Sequence, residues 1–290
     1  MAGSARPIST HSAPGGLHSA SPALVMLGRA GYAAKGVVYV VIGALAARAA
    51  IGAAGGATTD SRGAIGAIHD GPMGTIALVA IGIGLLGYMA WRLVAAVTDA
   101  EGKGDEPTKL AVRAAQAARG LAYGALGVTA LRMIGDSGGG ASAGPQGEAT
   151  RDWTARLLGM PFGRALVVGV GLGVLGYAAY QVYRAFSDKA TKHLDLYEAG
   201  HTQAKWIVRL GRFGIAARAI VFAMIGVFLV RAGMRADSGE AGGIAQSLQA
   251  LGGADYGRLV LAAVAFGLIA YGIYQLATAR YRRMRAVGIG

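Results

Sequence analysis

The strongest constraint on this chain is repetition: a pair of apolar segments occurs three times, with basic residues at the same offsets in every copy. Arg29, Lys35, Gly43 and Arg48 recur as Arg113, Arg119, Gly127 and Arg132, and again as Arg212, Arg218, Gly226 and Arg231. In the second segment of each pair, Gly74, Gly84, Tyr88 and Trp91 correspond to Gly163, Gly173, Tyr177 and Tyr180, then to Gly257, Gly267, Tyr271 and Tyr274. A single two-segment unit used three times therefore underlies the architecture.

These segments are too apolar for an ordinary soluble domain. Of 290 residues, 54% are hydrophobic and 15% charged, and the apolar residues gather into runs. In the second segments, 21 uncharged residues separate Asp70 from Arg92, 19 separate Arg164 from Arg184, and 21 separate Arg258 from Arg280. A helix needs about 20 residues to cross roughly 30 Å of hydrocarbon, so each is a predicted transmembrane helix.

The first segments are shorter. Only 12 uncharged residues separate Lys35 from Arg48, Arg119 from Arg132 and Arg218 from Arg231. At about 1.5 Å per residue this spans roughly 18 Å, less than the hydrocarbon core. Each first helix must then hold a cation inside the membrane or reach out with it. The simpler reading is that the long side chains extend their charged heads to the nearer interface. In the other reading, Lys35, Arg119 and Arg218 face the bundle interior and form a site for an anion or a lipid phosphate, because a buried charge must be paired, neutralised or hydrated. Tyr39, Tyr123 and Phe222 stand one turn further on, placed to offer a hydroxyl or a ring face.

Charge distribution sets an expected orientation. Nineteen of the 28 Lys and Arg residues fall on the N-terminal tail, the second and fourth loops, the C-terminus and the adjoining helix ends. By the positive-inside rule both termini are expected in the cytoplasm, of a bacterial cell whose cytoplasmic membrane the chain crosses several times. The net charge of +13 then answers to topology and anionic lipid, the expected partner of a run such as Arg280, Arg282, Arg283 and Arg285. Nucleic acid is not expected, since basic residues are not interleaved with aromatics on a soluble fold. Protein partners or a homo-oligomer remain open.

The units are placed at residues 26–100, 109–188 and 207–284, after a disordered cytoplasmic tail over 1–25 without a cleavable signal. Polar linkers separate them, and the stretch from Leu194 to Trp206 reads as an interfacial helix. Inside each unit, Ala64 to Ile68, Trp153 to Leu158 and Ile244 to Leu251 are expected as short helices on the outer face. Glycine and proline then break the chain before it re-enters the membrane. The expected fold is all-α: six transmembrane helices as three parallel hairpins around a pseudo-threefold axis.

Small residues four apart, Ala80 with Gly84, Gly169 with Gly173 and Ala263 with Gly267, predict close helix packing. Tyr88, Trp91, Tyr177, Tyr180, Tyr271 and Tyr274 lie near the cytoplasmic ends and are expected as membrane-interface anchors. With no cysteine, thiolate chemistry and disulfides are excluded. The five histidines show no metal or haem spacing, and the glycines from Gly169 to Gly176 follow no strand, so they make no dinucleotide fingerprint. No catalytic residue, metal or cofactor is expected.

The stretch Arg29-Ala-Gly-Tyr-Ala-Ala-Lys35-Gly-Val-Val-Tyr39, its counterparts from Arg113 to Tyr123 and from Arg212 to Phe222, and the Leu86-Gly-Tyr88 type motif carry a family likeness. With them the chain resembles a bacterial membrane-protein family known as domain of unknown function 1206, whose members hold three copies of a two-helix unit. The resemblance covers nearly everything after residue 26 and implies the architecture without an activity. The expected function is that of a non-enzymatic membrane component that binds lipid or protein partners. The alternative is a channel or carrier for a small anion using Lys35, Arg119 and Arg218.

Overall fold

Long apolar stretches ending in glycine-rich breaks become helices in the computed structural model, which describes residues 22–53, 58–97, 107–135, 148–187 and 200–281. Helix α1 spans Pro22–Ala50, α2 Ser61–His69, α3 Gly74–Val97, α4 Pro107–Gly135, α5 Glu148–Leu158, α6 Gly163–Phe186, α7 Gly200–Arg235, α8 Ile244–Gly252 and α9 Gly257–Tyr281. No strand occurs among the described residues.

Several expected boundaries shift. Helix α1 starts at Pro22, inside the stretch expected as tail, whose first 21 residues lie outside the described ones. Of the proposed interfacial helix from Leu194 to Trp206, residues 194–199 also lie outside, and the remainder opens α7. Among the described residues, five helices, α1, α3, α6, α7 and α9, are long and apolar enough to cross a membrane, against the six expected. Helix α4 has the length, 29 residues, but carries Lys109, Arg113, Gln116, Arg119 and Arg132 along it.

Each unit is a long helix, a short hairpin helix and a second long helix. Asp60 opens α2 by accepting from the backbone N–H groups of Arg62 at 2.9 Å and Gly63 at 3.0 Å, which satisfies two free donors of the first turn. Gln246 accepts from the Gly243 N–H at 3.0 Å at the corresponding start of α8. After each short helix the chain turns through a left-handed residue that is not glycine: Met73 (φ 64°), Phe162 (φ 61°) and Tyr256 (φ 57°). The glycine that follows has no room for a side chain, because a Cβ on Gly74, Gly163 or Gly257 would strike the carbonyl oxygen of His69, Leu157 or Gly252. The same strained corner thus recurs three times, at a conformation disfavoured by roughly 1–2 kcal/mol.

The long helices pair in a repeating order. Helix α4 packs on α3, α7 on α6 and α1 on α9, so the first helix of each unit lies along the second helix of another. Within units, α1 packs on α3 and α7 on α9, whereas α4 and α6 form no comparable interface. Val38, Ile42, Leu78, Leu85 and Leu268 are wholly buried at the centre. Small residues bring the paired helices together: a Cβ on Gly84 would meet Ala34 at 2.9 Å, and one on Gly267 would collide with Ala217. A Cβ on Gly169 or Gly173 would meet nothing within 4 Å beyond its own helix, so the close packing expected of that pair is absent in the second unit.

A cationic cluster walled by tyrosines

Lys35, Arg119 and Arg218 occupy the same turn of α1, α4 and α7, and the repeating helix order turns all three inward. Lys35 and Arg218 are buried, at 4% and 7% exposure, and Arg119 is half-buried. Lys35 and Arg218 therefore do not snorkel. Length alone allowed that reading, but the helices run well past these residues, and their inward face is set by packing on both sides.

Aromatic rings accommodate the charges. The Lys35 Nζ stands 4.9 Å from the ring centre of Tyr123, 5.6 Å from Tyr271 and 5.7 Å from Tyr88. Arg218 lies over Phe222 at 4.6 Å, Tyr271 at 5.1 Å and Tyr39 at 5.9 Å, and Arg119 over Tyr177 at 5.6 Å. A desolvated cation gains on the order of 2 kcal/mol from a ring face, which offsets part of the penalty for leaving water. The rings brace one another edge to face in a recurring pairing: Tyr39 with Tyr271 at 4.8 Å, Tyr123 with Tyr88 at 5.4 Å and Phe222 with Tyr177 at 5.6 Å. Each pair joins a first helix to the second helix it packs on.

Phenol oxygens complete the cluster. Arg218 Nε donates to the Tyr39 hydroxyl at 3.2 Å, which lies 3.4 Å from that of Tyr123. Arg119 donates to the Tyr177 hydroxyl at 3.2 Å. A guanidinium has five N–H donors, so these bonds leave donors on both arginines for a further acceptor.

Arg92 is a fourth inward cation that the sequence did not single out. It is buried, and donates to Tyr88 at 3.0 Å and Tyr32 at 2.9 Å. Its equivalents in the other units are Gln181 and Gln275, also buried. Because Arg92 ends a charge-free run, it read as a flanking residue; its lone signal was a polar residue at the same offset in all three copies.

Of the six rings expected as interface anchors, Tyr180 is 54% exposed, and Tyr177 is half-buried. Tyr88, Trp91, Tyr271 and Tyr274 are buried among the helices, where Tyr88 and Tyr271 serve the cations instead of headgroups. Met73, Phe162 and Tyr256, at the hairpin corners, are large side chains exposed in all three copies.

Two cavities meet at the cluster. One of about 470 Å³ opens towards the hairpin helices, lined by Asp60, Ser61, Thr150 and Ile244 at that end and by Tyr39, Tyr123 and Phe222 deeper in. The other, about 70 Å³, lies towards the starts of the first helices, between Lys35, Tyr88, Arg92, Gln181, Arg184 and Gln275. Arg119, Tyr177 and Arg218 border both. Asp60 is the one acidic side chain among the described lining residues. The Gln181 Oε1 is buried without a hydrogen-bond partner. No grouping of His, Asp or Glu suited to a metal ion occurs among the described residues.

Comparison with known proteins agrees with this threefold construction. The family model described as Domain of Unknown Function (DUF1206) matches residues 30–99, 114–188 and 213–282. The chain is 33% identical over 263 residues to the uncharacterized protein YxxB of Bacillus subtilis (strain 168), covering 91% of this chain and 93% of that protein. No solved structure matches. The chain belongs to the DUF1206 family.

Proposed function

We propose that this DUF1206 member is a non-enzymatic protein of a bacterial cytoplasmic membrane that binds small inorganic anions at the cationic cluster and passes them across. The carrying observation is that Arg119, Tyr177 and Arg218 border both cavities, so one set of side chains separates an outer vestibule from an inner pocket. Cations lining a low-dielectric cleft raise the local concentration of anions. Guanidinium donors and phenol hydroxyls then replace the water that a desolvated anion gives up. The polar groups at the cluster itself are cations, phenols and amides, a set suited to holding an anion.

In this reading α4 crosses with the five apolar helices, its cations shielded by the bundle, to give six spans around a pseudo-threefold axis. Both termini lie in the cytoplasm, following the excess of basic residues on that side. Binding of anionic lipid or of protein partners, another copy of the chain included, through that basic face is the second reading. Exposed Arg29, Arg209 and Arg280 support it.

Iodide, nitrate and phosphate uptake into liposomes holding the purified chain tests the proposal. Uptake of at least one anion should exceed that of empty liposomes and fall at least tenfold in Arg119→Gln, which alters a half-buried residue and so spares folding. Uptake equal to that of empty liposomes, with correctly inserted protein, would overturn it.

A further inference from the structure

We propose that the seam between α4 and α6 is a lateral port, held open by Ala115, which seats an anionic glycerophospholipid from the membrane. The first and third units show what closure requires. A Cβ on Gly31 would collide with the Tyr88 Cβ, and one on Gly214 with the backbone nitrogen of Tyr271. The equivalent residue in the second unit is Ala115, opposite Tyr177. Ala115 carries the atom for which the other two hairpins have no space, so α4 cannot approach α6 as α1 approaches α3. The outcome is visible on α6, where Gly169, Gly173 and Gly176 are exposed with nothing within 4 Å. Tyr180 is exposed where its equivalents Trp91 and Tyr274 are buried.

The opening leads from the side of the bundle to the cations. Ala122 and Ala125 are exposed and also line the larger cavity, next to Arg119 and Tyr177. The glycine-lined stretch of α6 rises about 10 Å along the helix and is apolar, which suits an acyl chain. At its lower end Arg119 and Arg184 flank the smaller cavity, with the buried, unpartnered Gln181 Oε1 between the same walls. Two cations match a phosphodiester, and the Gln181 carbonyl awaits a donor such as a headgroup hydroxyl. A ligand entering sideways between spanning helices comes from the bilayer, and a lipid of this kind satisfies the apolar and the cationic halves together.

Binding of fluorescent phosphatidylglycerol to the full chain in mild detergent is the test, with fluorescent phosphatidylcholine and soluble glycerol 3-phosphate as comparisons. Phosphatidylglycerol should bind at least tenfold more tightly than phosphatidylcholine and resist millimolar glycerol 3-phosphate. It should weaken at least tenfold in Gly173→Leu, which fills open space. Equal binding of the two lipids, or no effect of Gly173→Leu, overturns the proposal. Displacement by glycerol 3-phosphate does so too, since the site then takes a free phosphate. Because the chain has no cysteine, the pair Ala118→Cys with Gly173→Cys reports the seam directly. Little internal disulfide in phosphatidylglycerol vesicles, rising when Ala115→Gly is added in phosphatidylcholine vesicles, supports an open port. A complete internal disulfide in the Ala115 background shows a closed seam, and disulfide-linked dimers show a second copy in the groove; either overturns it. The readout is the lipid itself, so the result stands apart from whether small anions cross.

Discussion

The Lys35 ammonium of the first unit rests 4.9 Å from the ring centre of Tyr123 in the second. A cation of one repeat thus sits on an aromatic face supplied by the next, and this exchange ties charge burial to the way the repeats assemble. The ring rather than its hydroxyl carries the contact. Tyr123→Phe should leave thermal stability in detergent within about 0.5 kcal/mol of the parent, whereas Tyr123→Leu should lose roughly 1–2 kcal/mol beyond its lost packing. Equal losses in the two variants would assign the role to the hydroxyl.

Tyr39 is the acceptor for Arg218 Nε and also a neighbour of the Tyr123 hydroxyl. Tyr39→Phe keeps the ring and removes that acceptor, leaving a buried N–H unsatisfied at about 1–3 kcal/mol. The melting temperature should fall and then recover on adding iodide, which offers the guanidinium another acceptor and stabilises by mass action. A fall that no anion restores would contradict this.

A glycine that meets a neighbour and one that meets none should respond in opposite ways. Gly214 faces the Tyr271 backbone, so Gly214→Ala should cost about 1–3 kcal/mol through overpacking. Gly173 faces open space, and Gly173→Ala should be neutral or stabilise by up to about 1 kcal/mol through helix propensity. Thermal unfolding in the same detergent compares them.

Orientation can be read with single cysteines in this cysteine-free chain. A cysteine at Asp237, exposed at the hairpin end, should react in intact cells with a thiol reagent that does not cross membranes. One at Ser187, at the opposite end of α6, should react only after lysis. The reverse pattern would invert the topology.

The repeat offsets made the helix pairs, the short hairpin helices and the three equivalent cations legible, because they recur whatever the surroundings. Which way Lys35 and Arg218 point was not, since a charge-free run of 12 residues is as short for an inward cation as for a snorkelling one. Tyr88 and Tyr271 resembled headgroup anchors because distance along a helix says nothing of its rotation about its own axis. Met73, Phe162 and Tyr256 gave no warning of left-handed backbone, a conformation that local sequence associates with glycine or asparagine. The open seam hangs on one methyl group at Ala115, a change that a repeat alignment registers as conservative and that only the Tyr88 and Tyr271 contacts make costly.

The most direct measurement of the central claim is an anomalous difference map from crystals of the chain grown in iodide. The account predicts a peak within hydrogen-bonding reach of both Arg119 and Arg218, between the two cavities, that disappears in Arg218→Gln. Iodide found only at exposed arginines on the helix ends, with the cluster empty, would contradict it.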